Sequence, residues 1–165
     1  MTFTGCLSIV HRSFNATSGW ELIMRMAVPP VRERRVIQRL LSEFFREHKV
    51  SRFNKAVAEI CRFYRLKRPR VEWFEYLDWG RTAGRTFEDG TICLVHPENW
   101  KRGRKYNSEG QWINTVFHEM GHYILWTDAE AKADLFAARM ESNLTAVERR
   151  GPRSAASRTG NRRAA

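Results

Sequence analysis

The chain has 165 residues and a formal net charge of +11, the size of one ordinary domain that buries most of its apolar surface without disulfide or metal staples. A metal in such a chain is expected to serve chemistry rather than to hold the fold. Its three cysteines, Cys6, Cys61 and Cys93, lie far apart, form no C-x-x-C pair and leave an odd one out, so they suggest neither a disulfide framework nor a cysteine-zinc site and suit a reducing compartment. The amino terminus lacks the pattern of a secretion signal, and no window approaches the roughly 18 apolar residues of a membrane span; a cytoplasmic protein with no membrane partner is expected.

Residues 1–28 show no sustained period and end at Val28-Pro29-Pro30, so they read as an irregular extension ahead of a domain at 29–148. From Val31, "VRERRVIQRLLSEFFREH" sets Val36, Ile37, Leu40, Leu41, Phe44 and Phe45 on one helical stripe. The arginines of residues 32–39 read as its solvated face. A second helix, "RFNKAVAEICRFYRL", turns Phe53, Val57, Ile60, Cys61 and Tyr64 inward and is expected to run until Pro69 stops it.

The segment "RPRVEWFEYL" is rich in β-formers, and "GRTAGRTFEDGTICLVHP" pairs two extended runs around Asp89-Gly90, a hairpin turn signal. These predict a small antiparallel sheet ending with Thr91 to His96. A polar, basic loop, "PENWKRGRKYNSEG", follows. The next helix, "QWINTVFHEMGHYILW", buries Ile113, Val116, Phe117, Met120 and Ile124, and a last one, from about Ala129 to Val147, uses Ala133, Phe136, Ala137, Met140 and Leu144. The order predicts an α+β domain. Trp73, Phe74, Trp79, Trp100 and Trp112 are expected in the core or its packing surface, since they lack the spacing of a base-stacking platform.

The tail at 149–165, "RRGPRSAASRTGNRRAA", holds six arginines and no acid, which leaves +5 for residues 1–148. With almost nothing to bury, it is expected to be disordered. Its charge supports nonspecific contact with nucleic acid, not a specific DNA-reading module.

Chemistry concentrates in "HEMGHYILWTDAEAKADLFAARM", residues 118–140. Side chains at i and i+4 share a helix face, so the imidazoles of His118 and His122 can reach a single ion. The pattern H-E-x-x-H adds Glu119 at the edge of that face, placed to take a proton from a water whose pKa the ion would lower from near 15.7 to around 7. Gly121 costs helix stability by about 1 kcal/mol relative to Ala and is better explained by another segment packing close. Glu130 and Asp134 arrive on the next helix. Glu130 has a competing use, because "TDAE" at 127–130 is also a capping box in which it would reach back to the amide of Thr127.

His118-Glu119-Met120-Gly121-His122 followed by Glu130-Ala131-Lys132-Ala133-Asp134-Leu135-Phe136-Ala137-Ala138 resembles the gluzincin metallopeptidases, most closely the compact ImmA/IrrE-type branch common in phages and mobile elements. There, H-E-x-G-H precedes an E-x-x-A-[ND]-x-F-A-A segment, and the strand at Thr91 to His96 resembles the small active-site sheet. The resemblance covers about residues 85–140. It implies a zincin-like fold, a Zn2+ cofactor held by His118, His122 and Glu130, Glu119 as general base, and Asp134 orienting a liganding histidine. It also implies a protein or peptide substrate, such as a regulator of a phage or mobile element, in the host cytoplasm if the gene is phage-borne. Only seven residues separate His122 from Glu130, so the connecting turn must be tight; if it cannot deliver Glu130, Asp134 is the substitute ligand. The branch often has an acid where Lys132 stands.

For a substrate cradle the strand "TICLV" could accept an extended peptide as a neighbouring strand. For an oxyanion partner only His96, Tyr106 and Tyr123 offer themselves. The competing function is a noncatalytic nucleic-acid or protein-binding factor that uses the basic tail and carries a vestigial zinc site.

Overall fold

The structure, a computed structural model, describes residues 27–75, 83–103 and 108–144. The expectations for residues 1–26, Trp79, Tyr106 and the tail at 149–165 lie outside them. The described residues form an α+β unit of five helices, α1 (Val31–Glu47), α2 (Val50–Phe63), α3 (Pro97–Gly103), α4 (Glu109–Leu125) and α5 (Glu130–Glu141), with three strands, β1 (Val71–Phe74), β2 (Gly84–Thr86) and β3 (Ile92–Val95). No helix among them is long and apolar enough to cross a membrane.

The stripes on α1 and α2 pack as their spacing requires. Ile37, Leu40, Leu41, Phe44 and Phe45 meet Phe53, Val57, Ile60 and Cys61 in one buried cluster, to which α4 adds Trp112, Ile113, Val116, Phe117, Met120 and Ile124. Phe44, Phe53 and Trp112 are each less than 2 % exposed, and burying such a ring stabilises by about 1.5–3 kcal/mol. Trp73 stands at 4.8 Å, ring to ring, from Phe53. Trp73, Trp100 and Trp112 are thus packing residues, as expected.

α2 ends well before Pro69. Arg65 turns left-handed at φ 54°, with its N–H on the Arg62 carbonyl at 3.2 Å and the Leu66 N–H on the Cys61 carbonyl at 2.9 Å. Those two bonds are a Schellman closure, which consumes the last carbonyls before proline is reached.

The sheet departs from the antiparallel expectation. Its order is β1-β3-β2, with β3 antiparallel to β2 and parallel to β1. The Asp89-Gly90 turn behaves as predicted: Gly90 sits at φ 83°, and the Asp89 carboxylate accepts the Thr91 N–H at 2.8 Å. β1 and β2 run in opposite directions with a slot between them. The turn folds β3 into that slot, and a strand antiparallel to β2 there is necessarily parallel to β1. β3 is buried throughout, as a central strand covered on both faces is.

The loop expected at 97–110 begins instead as α3. Pro97 occupies the first helical position, Glu98 the first turn, and His96 Nδ1 accepts the Glu98 N–H at 3.3 Å, so proline and an early acid start a helix despite the basic residues beyond. His96 is thereby a capping side chain. Its ring lies 5.7 Å from Phe44, 5.4 Å from Trp73 and 5.3 Å from His48. Burial, then the neighbouring His48, hold its pKa below the ordinary histidine value against the opposing pull of Glu98.

A base whose native pKa is lowered stays neutral when folded and takes its proton more readily when unfolded. Stability is therefore complete above the ordinary histidine pKa of about 6.5 and declines as pH falls from there toward the lower native value. Melting temperature should drop between pH 7.5 and 5.5, and His96→Asn, which keeps a capping oxygen, should flatten that slope. Parallel pH profiles for the two proteins would contradict it.

Candidate metal centre

α4 carries the histidine pair and is built to be rigid. Ser108 Oγ accepts the Gln111 N–H at 3.1 Å while Gln111 Oε1 accepts the Ser108 N–H at 3.0 Å, a reciprocal cap that satisfies two free amides at the helix start. Trp112 Nε1 donates to the Val95 carbonyl at 3.1 Å, tying α4 to β3. Gly121 does admit a close neighbour: a Cβ there would stand 3.1 Å from Ala133 Cα and 3.2 Å from Phe136 Cβ. The absence of a side chain lets α5 lie directly against α4, with Ala133, Phe136, Ala137 and Met140 buried between them. α5 stops at Glu141, short of the Val147 expected, although Leu144 is buried as foreseen.

The connection between the helices is short, as the spacing demands. Trp126 turns left-handed at φ 51° and its N–H bonds the His122 carbonyl. Thr127 Oγ1 accepts the Ala129 N–H at 3.2 Å, but α5 has no side-chain cap at Ala129, so the capping box is not formed. Glu130 turns instead to the histidines.

Its Oε2 lies 3.1 Å from His118 Nε2 and its Oε1 3.7 Å from His122 Nε2. The two Nε2 atoms are 3.0 Å apart. One ligand atom from each of the three residues lies within 4.8 Å of the others, a group able to hold a metal ion. Asp134, the alternative ligand, takes the other role: His118 Nδ1 donates to its Oδ1 at 2.9 Å. His122 Nδ1 donates to the Thr127 carbonyl at 2.6 Å, so the turn that delivers Glu130 also braces the second imidazole.

These outer bonds decide the fit. A carboxylate and a carbonyl only accept, so each Nδ1 carries a hydrogen, and the tautomer this selects is the one that can present a lone pair at Nε2 to a metal. The two Nε2 atoms and the carboxylate converge. Donor atoms about 2.0–2.1 Å from a tetrahedral ion stand about 3.3 Å apart, in the middle of the observed separations. Side-chain exposure is 19 % and 12 % for the histidines but 76 % for Glu130, so the donor set opens to solvent on the α5 side.

Glu119 is buried at 4 % exposure and is held by β2, which the sequence reading did not connect with it. Thr86 Oγ1 lies 2.7 Å from Glu119 Oε2, to which it donates, and 3.0 Å from the Glu119 carbonyl. Gly84 makes the niche: a Cβ there would fall 2.6 Å from Glu119 Cγ and 2.9 Å from Oε1. A glycine inside a strand marks close approach of another group, and Gly84 was the available signal. Burial pushes the Glu119 carboxyl pKa up, while the Thr86 bond and the two imidazoles pull it down.

β3, expected to receive a peptide, is flanked on both sides, whereas among the described residues β2 is at a sheet edge, beside Glu119. Of the oxyanion nominees, His96 caps α3, and Tyr123 donates its hydroxyl to the Lys67 carbonyl at 2.8 Å. Both are committed away from the donor set. Among family models, curated proteins and solved structures, none matches the chain.

Proposed function

We propose that the chain is a zinc-dependent metallopeptidase of compact zincin-like fold that hydrolyses peptide bonds of a protein substrate, with His118, His122 and Glu130 as metal ligands and Glu119 as general base. The observation that carries this reading is the meeting of two Nε2 atoms and a Glu130 oxygen beside a buried carboxylate. Zinc bound by such donors polarises a substrate carbonyl and lowers the pKa of water. The rest is the work of the side chains. Asp134 and the Thr127 carbonyl fix the imidazole tautomers. Thr86 engages Oε2 of Glu119, which leaves Oε1 to take a proton from the attacking water and return it to the departing amine. An extended substrate adds to the edge of β2, within reach of that carboxylate. The resemblance to ImmA/IrrE-type enzymes supports a regulatory protein of a phage or mobile element as the target.

Purified protein should contain about one zinc per chain by elemental analysis. His122→Ala should lower zinc affinity by more than about 100-fold and abolish cleavage of a proteome-derived peptide mixture, read as new termini by mass spectrometry. A chain that neither carries zinc nor takes it from a buffered solution would sink the reading.

A further inference from the structure

The tail is not the chief basic feature of this chain. Lys49 to Arg70, α2 and the segment after it, carry eight lysines and arginines against a single acid, Glu59. All eight are exposed. Four have carboxylate partners: Lys49 with Glu47, Arg52 with Glu43, Arg62 with Glu59 and Arg70 with Glu72. Lys55, Arg65, Lys67 and Arg68 have no ion pair among the described residues. Like charges crowded on one element repel, and a merely solvated face would intersperse signs.

We infer that this surface, α2 with the Arg65–Arg70 segment, binds the phosphate backbone of duplex nucleic acid. A bilayer fits less well, because an interfacial helix inserts an apolar face, and that face of α2, with Phe53, Val57 and Ile60, is buried in the core. Single strands call for several stacking aromatics, and the segment exposes only Phe63. Exposed cations gathered on one segment suit a duplex backbone, where each neutralised phosphate releases counterions. The segment is also anchored to the catalytic helix, through Tyr123 Oη on the Lys67 carbonyl at 2.8 Å, one residue after His122. Duplex held there uses none of the metal centre's donors, so the inference stands apart from the peptidase reading.

The probe is a fluorescein-labelled 20-base-pair DNA duplex of arbitrary sequence, titrated with the full chain by anisotropy from 50 to 300 mM NaCl. The variant with Lys55, Arg65, Lys67 and Arg68 all changed to Gln should bind at least tenfold more weakly at 100 mM NaCl. Its slope of log affinity against log salt should be shallower by about 3 to 4, at about 0.9 per phosphate contact. Exchanging lysine for arginine and the reverse at those four positions should restore the slope. Circular dichroism checks that each variant is folded. Changing the six tail arginines to Ser should leave that part of the slope in place. No duplex binding by the unaltered chain, binding lost only with the tail arginines, or capture by anionic phosphatidylglycerol vesicles in place of DNA would each overturn the inference.

Discussion

Glu119→Gln is expected to lower peptide hydrolysis by about 10²- to 10⁴-fold while leaving the zinc content of the protein unchanged. Glutamine has the volume of glutamate, so it fits the niche over Gly84 and still accepts the Thr86 hydroxyl on its amide oxygen. What it loses is the capacity to take a proton. Because Glu119 is not among the convergent donors, the ligands and their Nδ1 bonds to Asp134 and Thr127 stay as they are. The same substitution removes a buried ionisable group, so loss of activity cannot be put down to unfolding if the melting temperature holds or rises. The readouts are elemental zinc, melting temperature and new peptide termini, measured on one preparation. Cleavage at the unaltered rate would eliminate Glu119 as the base even with the metal in place.

The centre was legible where it depends on positions within a helix and failed to be legible where it depends on neighbours from elsewhere. His118 and His122 at i and i+4, with apolar support from Ile113, Val116, Phe117, Met120 and Ile124, define a face before any fold is known. The seven-residue gap to Glu130 left two uses open, ligand or cap, and only the orientation of α5 against Gly121 chooses between them. Gly84 and Thr86 were invisible as a grip on Glu119 because the strand that bears them is brought to α4 by tertiary packing. Strand pairing was half legible for the same reason: Asp89-Gly90 declares the β2–β3 hairpin locally, while nothing near Val71–Phe74 states which strand it will meet or in which direction.

Arg34 is the plainest case of a residue misread from its neighbourhood, and its removal should have the largest effect on stability. It stands in a run of arginines assigned to a solvated face, yet it is 4 % exposed. Its Nε donates to the Pro29 carbonyl at 2.8 Å, and Nη1 reaches the carbonyls of Arg139, Met140 and Ser142 at 2.7, 2.9 and 2.7 Å. Those last three lie at the carboxyl end of α5, where helical carbonyls run out of partners; the Arg139 carbonyl also accepts the Ser142 N–H and hydroxyl, at 3.3 and 2.8 Å, while those of Met140 and Ser142 turn to the guanidinium. The guanidinium therefore does from α1 what a cap would do locally, and its charge sits at the negative end of the helix dipole rather than beside a carboxylate.

Burial holds the Arg34 pKa below its ordinary value, but guanidinium remains protonated at neutral pH. Arg34→Met fills similar space and leaves the buried carbonyls of Pro29 and Met140 without the guanidinium that serves them, at a cost of about 2–4 kcal/mol. For a domain of this size that is a fall in melting temperature of about 10 °C. Lysine, with one compact head in place of a planar fork, should recover only part of it. Because α5 brings Glu130 and Asp134 to the histidines from its other end, loosening its carboxyl end should also weaken zinc binding. The stabilisation gained on adding zinc, which grows with the ratio of free metal to Kd, should then be smaller in Arg34→Met than in the unaltered chain. An equal gain in both proteins would show that α5 keeps its ligands in place without the clamp.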